Sequence, residues 1–479
     1  MNSQAHHHLA QLLQLGSEGQ WAYDRILQLT IENAQLRQTL EQKQAALEQT
    51  QSALQQAHQQ IEQLQREAHR QAAPFRRPEH KRNSHRGRPG RKGGHRGTYR
   101  PIPKKIDQEL HVPLDRCPCC QGPVIDKQPL VQYIEDIPPV QPHVTKLTTE
   151  EGWCPQCQKD VYSTHPLQVS RAQGAAQVHL GPRALAIAAD LKAKGLSMRK
   201  IVAVLEGCFG LKLTAGALAM ALQRIARRMA PEYERLPELL RKSPVVHADE
   251  TSWWRDGPGW WLWVFTTPQI TYYVIAQSRG SAVALQVLGD QFEGTLVSDC
   301  LAVYDDLNPL QQKCYSHHLK AVSEACLLHP QHGEDYLHQI QALLRTALVL
   351  KALQPQAESA AFQRCVEGLK RRAHTLLETP RAQAQEEKVR SRLYKQRDHL
   401  FTFLERPEVP ATNNLAERQL RPAVIARKIS CGNKTDQGAT AWACLISIAA
   451  TCIQTGRSFI DAVALAVLLH PSDAPCQPR

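Results

Sequence analysis

A seven-residue repeat runs through the first part of the chain. Its first row is Ile26, Asn33, Leu40, Leu47, Leu54, Ile61 and Ala68; its second is Leu29, Leu36, Lys43, Thr50, Ala57, Leu64 and Gln71. No Gly or Pro interrupts Gln20 to Ala73. The repeat predicts a coiled-coil oligomerisation helix over residues 1–73, with Asn33 at a core position as a register pin. A solvated Gln-rich helix fits the same composition. Pro74 ends the repeat, and residues 74–108 have too much Gly, Pro and Arg to build a core. Over residues 175–235 the period changes to that of short helices with one apolar face. Ser197 and Thr214 stand at N-cap positions there, as in a helix-turn-helix, although a plain helical bundle shares the pattern.

From Val245 the pattern becomes that of strands. VVHADETSWW, WWLWVFTT and ITYYVIAQ are three apolar runs, the first two joined by the turn signal DGPG. A helix-like SAVALQVLGDQF leads to a fourth run, TLVSDC. Helical periodicity then fills about 319–405, a segment read as DNA-contacting or simply packing. Two apolar helices follow within AWACLISIAATCIQTGRSFIDAVALAVLL.

Two of the apolar runs carry an acid, Asp249 and Asp299. A carboxylate in such surroundings is costly unless it meets a cation. Three antiparallel strands, a helix and a returning strand form the layout of ribonuclease-H-like nucleases, which sets the two acid-bearing strands side by side. A third acid is expected from a late helix, and Glu417 in ATNNLAERQLRPAVIARKIS is the candidate. Asn413 or Asn414 suits that helix's start. Arg418, Arg421, Arg427 and Lys428 surround Glu417 and are candidate DNA-phosphate contacts. Three carboxylates are what a two-metal phosphoryl-transfer site needs.

Neighbouring groups receive blander readings. Glu250 faces away from Asp249 by strand alternation, and His247 shares its face. Asp305 and Asp306 suit a helix start. Cys314 and His317 in CYSH are metal-type donors without a third donor nearby in sequence, so a structural or phosphate-contacting role is expected.

Charge narrows the substrate. The chain has a net charge of +13, and residues 66–105 alone carry +12. That is the footprint of a polyanion binder, and Arg86, Arg88, Arg91, Lys92 and Arg96 in the RGRPGRKGGHRG arm are expected on DNA. The 14 cysteines do not form a secreted disulfide framework. Cys117 and Cys120, then Cys154 and Cys157, are two CxxC knuckles that supply four thiolates for a structural Zn²⁺ within residues 109–165. Their long spacer is expected to hold a hairpin drawn from VQYIEDIPPVQPHVTKLTTEEGW. No signal peptide is evident, and the most apolar late stretch is too short to span a membrane.

From about Ala73 to its end the chain resembles the insertion-sequence-sixty-six family of bacterial DDE transposases. The motifs that carry the resemblance are GRPGRKGGHRG, the two knuckles, HADET, SDCLAVYDDL, CYSHHLK and NNLAERQLRP followed by ARK. It implies a ribonuclease-H-like catalytic domain, here 243–470 with a helical insertion. It also implies Mg²⁺ (two ions in the two-metal scheme) and catalytic Asp249, Asp299 and Glu417. Two departures stand out: Cys300 where a Gly-type residue is expected, and His317-His318-Leu319-Lys320 where the family pattern has His-Ala-Arg-Arg.

The expected architecture is thus multidomain α+β: coiled coil, basic arm, zinc segment, helix-turn-helix-like domain and catalytic domain. The expected function is binding of an element's terminal repeats, DNA cleavage, and joining of the freed 3′-OH ends to target DNA. Partners are DNA, a second copy through the coiled coil, and accessory transposition proteins. The expected location is the bacterial cytoplasm, on the nucleoid. Two rivals are a catalytically inactive, zinc-dependent DNA-binding derivative and a ribonuclease-H-like repair nuclease.

Overall fold

The computed structural model describes residues 25, 28, 29, 32, 33, 35–52, 56, 100–163, 165–168, 178–305, 307, 310–328, 334–354 and 359–469. Arg86, Arg88, Arg91, Lys92 and Arg96 of the basic arm lie outside them, as does Asp306. Two compact units divide the chain, Met1–Ile134 and Glu135–Arg479. In the first, residues 35–52 form a continuous helix, on which Leu36, Leu40 and Leu47 of the heptad rows are exposed.

The second unit begins with a hairpin, β1 (Glu151–Cys154) and β2 (Lys159–Tyr162). The hairpin expected between the knuckles therefore forms around the second one instead. Residues 124–150 carry no strand. Pro138, Pro139 and Pro142 remove backbone donors from the stretch whose β-branched residues suggested pairing.

Helices α1 (Pro182–Ala193), α2 (Met198–Phe209) and α3 (Ala215–Arg241) follow. Thr214 caps α3 by accepting the Ala217 N–H at 3.1 Å, whereas Ser197 makes no such bond. These helices share one core with two late helices, α11 (Asp436–Gln454) and α12 (Phe459–Leu469): Ile201, Leu205, Leu218 and Ile225 pack among Leu445, Ile448 and Val463.

Between them lies a five-stranded sheet of β3 (Val245–Trp253), β4 (Trp260–Thr266), β5 (Thr271–Ala276), β6 (Thr295–Ser298) and β7 (Gln311–Lys313). Its order is β5-β4-β3-β6-β7. β3, β4 and β5 are antiparallel neighbours, while β6 pairs parallel to β3 and β7 parallel to β6. The DGPG turn between β3 and β4 uses left-handed backbone at Asp256 and Gly259, as its residues predict.

Each face of the sheet is covered. On one, Val246, Ala248, Trp263 and Phe265 pack against α4 (Ser281–Leu288) and Tyr304. On the other, Trp253, Leu262, Val264 and Tyr273 meet α11 and α10 (Asn414–Ser430). Between β7 and α10 run α5 (Tyr315–Leu328), α6 (Glu334–Leu353), α7 (Ser359–Glu378), α8 (Ala384–Lys395) and the short α9 (Thr402–Glu405). Their core reaches the sheet through Val245 and Val297. Among the described residues no helix is long and apolar enough to cross a membrane.

Candidate active site

The parallel pairing of β3 with β6 runs Val245↔Thr295, Val246↔Leu296, His247↔Val297. Continued two residues along both chains, that register sets Asp249 beside Asp299. Alternation puts Asp249 on the face of Trp253, the face that α10 covers. One oxygen of each acid is held locally: Asp249 Oδ1 accepts the Glu250 N–H and Asp299 Oδ1 the Leu301 N–H, both at 2.9 Å.

Two asparagines pin α10 across β3. Asn413 occupies the N-cap position expected for it, but its side chain does not cap the helix. Its Nδ2 donates to the Ala248 carbonyl at 2.8 Å, and its Oδ1 lies 3.0 Å from His247 Nδ1. Since the amide nitrogen is already donating to a carbonyl, Oδ1 is the acceptor and His247 Nδ1 carries the proton. Burial keeps that imidazole neutral, lowering its pKa to about 4 against the help of Asn413.

At the far end Asn433 takes the Trp253 indole N–H on Oδ1 at 2.9 Å and donates its own N–H to the Trp254 carbonyl at 3.0 Å. Gly432, with φ of 111°, lies so close to the Trp254 carbonyl that any Cβ would collide with it. Arg427 adds bonds to Thr251 Oγ1 at 3.1 Å and Ser252 Oγ at 2.9 Å. Glu417 lies in the first turn of this pinned helix, near enough to Asp249 for its charge to act on that carboxyl.

Electrostatics agree with that placement. The Asp249 carboxyl is pushed well above the ordinary range, first by burial, then by the charges of Glu250 and Asp299, with a smaller push from Glu417. The Glu250 N–H bond opposes the rise without cancelling it. An Asp249 carboxyl raised in this way, with two further oxygen donors nearby, suits a hard divalent cation such as Mg²⁺, whose charge would relieve it.

Glu250, the next residue, is satisfied within the protein. It accepts from Arg279 Nη2 at 2.9 Å, Arg279 Nε at 3.2 Å and the Tyr304 hydroxyl at 2.7 Å on the α4 face. Asp305 is likewise engaged. It follows the short 3₁₀ turn Ala302–Tyr304 rather than starting a helix, and it pairs with Lys313 at 3.1 Å and Lys395 at 3.0 Å. Burial would raise Asp305, but bonds from Gln396, Lys395 and Lys313 outweigh it and hold the carboxyl below its usual range.

Cys314 and His317 find in Glu417 the third donor that is not near them in sequence. Ligand atoms of Cys314, His317 and Glu417 all lie within 4.8 Å of one another. Cys314 is fully buried and its sulfur accepts the Asn413 N–H at 3.2 Å. The sulfur beside it raises His317 against burial, helped by Asp299 and Glu417. His318 points elsewhere, within 3.7 Å of the Cys300 sulfur, and burial lowers it to about 3. The signal available was the CxxH spacing; the third donor stands a hundred residues later.

Of the cations expected on DNA, Arg418, Arg421 and Lys428 are exposed on α10, while Arg427 is half-buried against β3. Each knuckle has turn geometry suited to a metal. Cys117 N–H donates to the Gly122 carbonyl and Gln121 N–H to the Cys117 carbonyl, both at 2.9 Å. In the hairpin turn Cys157 N–H donates to the Cys154 sulfur at 3.5 Å. Backbone bonds from Cys120 and from Cys157 push the Cys117 and Cys154 thiols down, respectively, toward the thiolate a zinc site requires.

A stretch of 73 residues is 37% identical to the Uncharacterized protein y4jO of Sinorhizobium fredii (strain NBRC 101917 / NGR234), covering 15% of this chain and 23% of that one. The match thus spans less than a quarter of that relative's length. The sequence model of the family described as Transposase IS66 family matches residues 177–441, from α1 through the sheet and Glu417 into α11. With more than half of its length matched, this chain belongs to the IS66 family of transposases.

Proposed function

We propose that the chain cuts DNA at the ends of its element and joins the freed 3′-OH ends to target DNA, with Asp249, Asp299 and Glu417 as the catalytic acids. The observation that carries this reading is the β3–β6 register, together with α10 pinned at both ends by Asn413 and Asn433. It supports a rigid three-carboxylate constellation on one sheet face. The strand order β5-β4-β3-β6-β7, with three antiparallel strands and two parallel ones, supports a ribonuclease-H-like catalytic domain. When bound, two Mg²⁺ ions would activate the attacking hydroxyl and stabilise the leaving oxygen.

The remaining work falls to the chain's own residues. Asp249 and Asp299 hold fixed positions through their backbone bonds, and α10 brings Glu417 to them without reorganisation at the moment of reaction. Exposed Arg418, Arg421 and Lys428 on the same helix would hold DNA phosphates near the acids. Arg86, Arg88, Arg91, Lys92 and Arg96 would track the flanking backbone, a contribution that weakens steeply with salt. The helical domain is proposed to help grip the terminal repeats. The knuckle thiolates are proposed to hold structural Zn²⁺. The exposed Leu36, Leu40 and Leu47 support dimerisation through the N-terminal helix, and accessory transposition proteins complete the proposed set of partners.

The test is cleavage and strand transfer on DNA carrying the element's ends, with and without Mg²⁺. Metal-dependent cutting followed by joining supports the reading. Binding without cutting would instead favour an inactive derivative, and cutting without joining a nuclease.

A further inference from the structure

We propose that Cys314, His317 and Glu417 form a second metal site, for one thiophilic divalent ion such as Zn²⁺, which shares Glu417 with the acid site. The three donors already lie within 4.8 Å of one another. Ligands of a tetrahedral zinc, with bonds of about 2.0–2.3 Å, stand roughly 3.5 Å apart. The gap closes by small rotations of His317 and Glu417, both only half-buried.

The chain is built for the sulfur's charge. Cys314 lies immediately before α5, and its carbonyl accepts the His317 N–H at 3.1 Å and the His318 N–H at 3.4 Å. The C-x-x-H spacing is thereby wound into the first turn, with the helix N-terminus beside the thiolate. The Asn413 N–H donates to that sulfur at 3.2 Å, as outer-sphere donors do around metal-bound thiolates. His317 Nδ1 is buried and has no hydrogen-bond partner. The ring already interacts with the Cys314 sulfur, its unpaired nitrogen calls for a partner, and a metal ion would engage ring, thiol and carboxylate together.

Charge selects the ion class. One thiolate, one carboxylate and a neutral imidazole balance a 2+ ion, and the sulfur selects Zn²⁺ over Mg²⁺. Three protein ligands leave a fourth position open. Because Glu417 belongs to both ligand sets, an ion held by Cys314 and His317 draws that carboxylate from Asp249 and Asp299. Zinc therefore opposes Mg²⁺-dependent cleavage. That consequence rests on the function proposed above; the existence of the site does not.

The test is a titration of the metal-stripped full-length chain with Co²⁺ alone, reading bound equivalents by dialysis and sulfur-to-metal charge transfer by absorption. Cys314→Ser and His317→Gln are each expected to lose one equivalent, whatever the knuckle cysteines hold. His317→Gln lies at a half-buried position and keeps the test open should Cys314→Ser unfold. Asp249→Asn is expected to keep the charge-transfer intensity that Cys314→Ser removes, whatever ions the acid site gives up, so the result stands even if no cleavage is ever seen. Unchanged charge transfer and count in the folded Cys314 and His317 variants would overturn the proposal. Loss of that intensity in Asp249→Asn as well would assign the ion to the acid site and overturn it equally.

Discussion

Asp249 and Glu250 are consecutive acids on one strand, yet the two faces of β3 treat them oppositely. On the α4 face Glu250 meets Arg279 and the Tyr304 hydroxyl, and nearby Lys313 meets Asp305. Every charge there has a partner supplied by the fold. On the α10 face Asp249 is raised first by burial and then by neighbouring acids, with no cation paired to it among the described residues, and burial keeps nearby His247 neutral. Burial alone does not mark a functional carboxylate. The contrast lies in compensation, which the chain supplies to Glu250 and omits at Asp249, where a cation would supply it.

The sharpest way to break this comparison is to neutralise each acid in turn. Asp249→Asn is expected to reduce Mg²⁺-dependent cleavage by at least ~10²-fold, while Glu250→Gln keeps most of it. The stability effects differ in size. A carboxyl raised by folding opposes the fold once ionised, so Asp249→Asn raises the melting temperature of the metal-free protein at neutral pH. Glu250 is also raised, by burial, but its bonds from Tyr304 and Arg279 oppose the rise, so Glu250→Gln gains less and gives up those bonds. Comparable activity loss in both variants would erase the distinction between the faces.

Asp305→Ala tests the compensated face. Removing it leaves Lys313, whose side chain is 0% exposed, without its carboxylate. Breaking such a buried pair costs about 3–5 kcal/mol, measurable by urea unfolding. A loss under about 1 kcal/mol would mean that Lys313 is neutral or finds water.

A smaller effect follows from the two buried histidines. His247 and His318 have pKa values of about 4 and about 3, against 6.5 for the unfolded chain. The unfolded state therefore binds protons more readily, and stability is full above pH 6.5. It falls with each histidine by about 1.4 kcal/mol per pH unit as pH drops from there toward 4. His318→Asn is expected to remove roughly half of that slope. An unchanged slope in His318→Asn between pH 6.5 and 4 would show that this ring is not buried neutral.

Much of the acid site was legible because strand alternation and turn chemistry act locally. HADET and VSDC sit in short apolar runs, DGPG fixes the hairpin between β3 and β4, and NNLAERQL starts a helix where its asparagines predict. What the pattern could not show are side chains that leave their own element. Asn413 reads as a helix cap but bonds to β3, and Asn433 reads as loop but anchors a tryptophan. CxxH gained its third donor only through the fold, as α10 came to rest on β3 beside the start of α5. Helices α1–α3 read as a separate module, yet their apolar faces are closed by α11 and α12 from the far end of the chain.

The most direct test of the central claim is whether Glu417 belongs to the same unit as the two strand acids. End cleavage should be measured for Asp249→Asn, Glu417→Gln and the double variant under single-turnover conditions. Residues acting as one unit are non-additive, so the account predicts that both single variants lose cleavage to a similar floor and that the double variant loses no more. A Glu417→Gln protein that cuts DNA at close to the unmodified rate would contradict it.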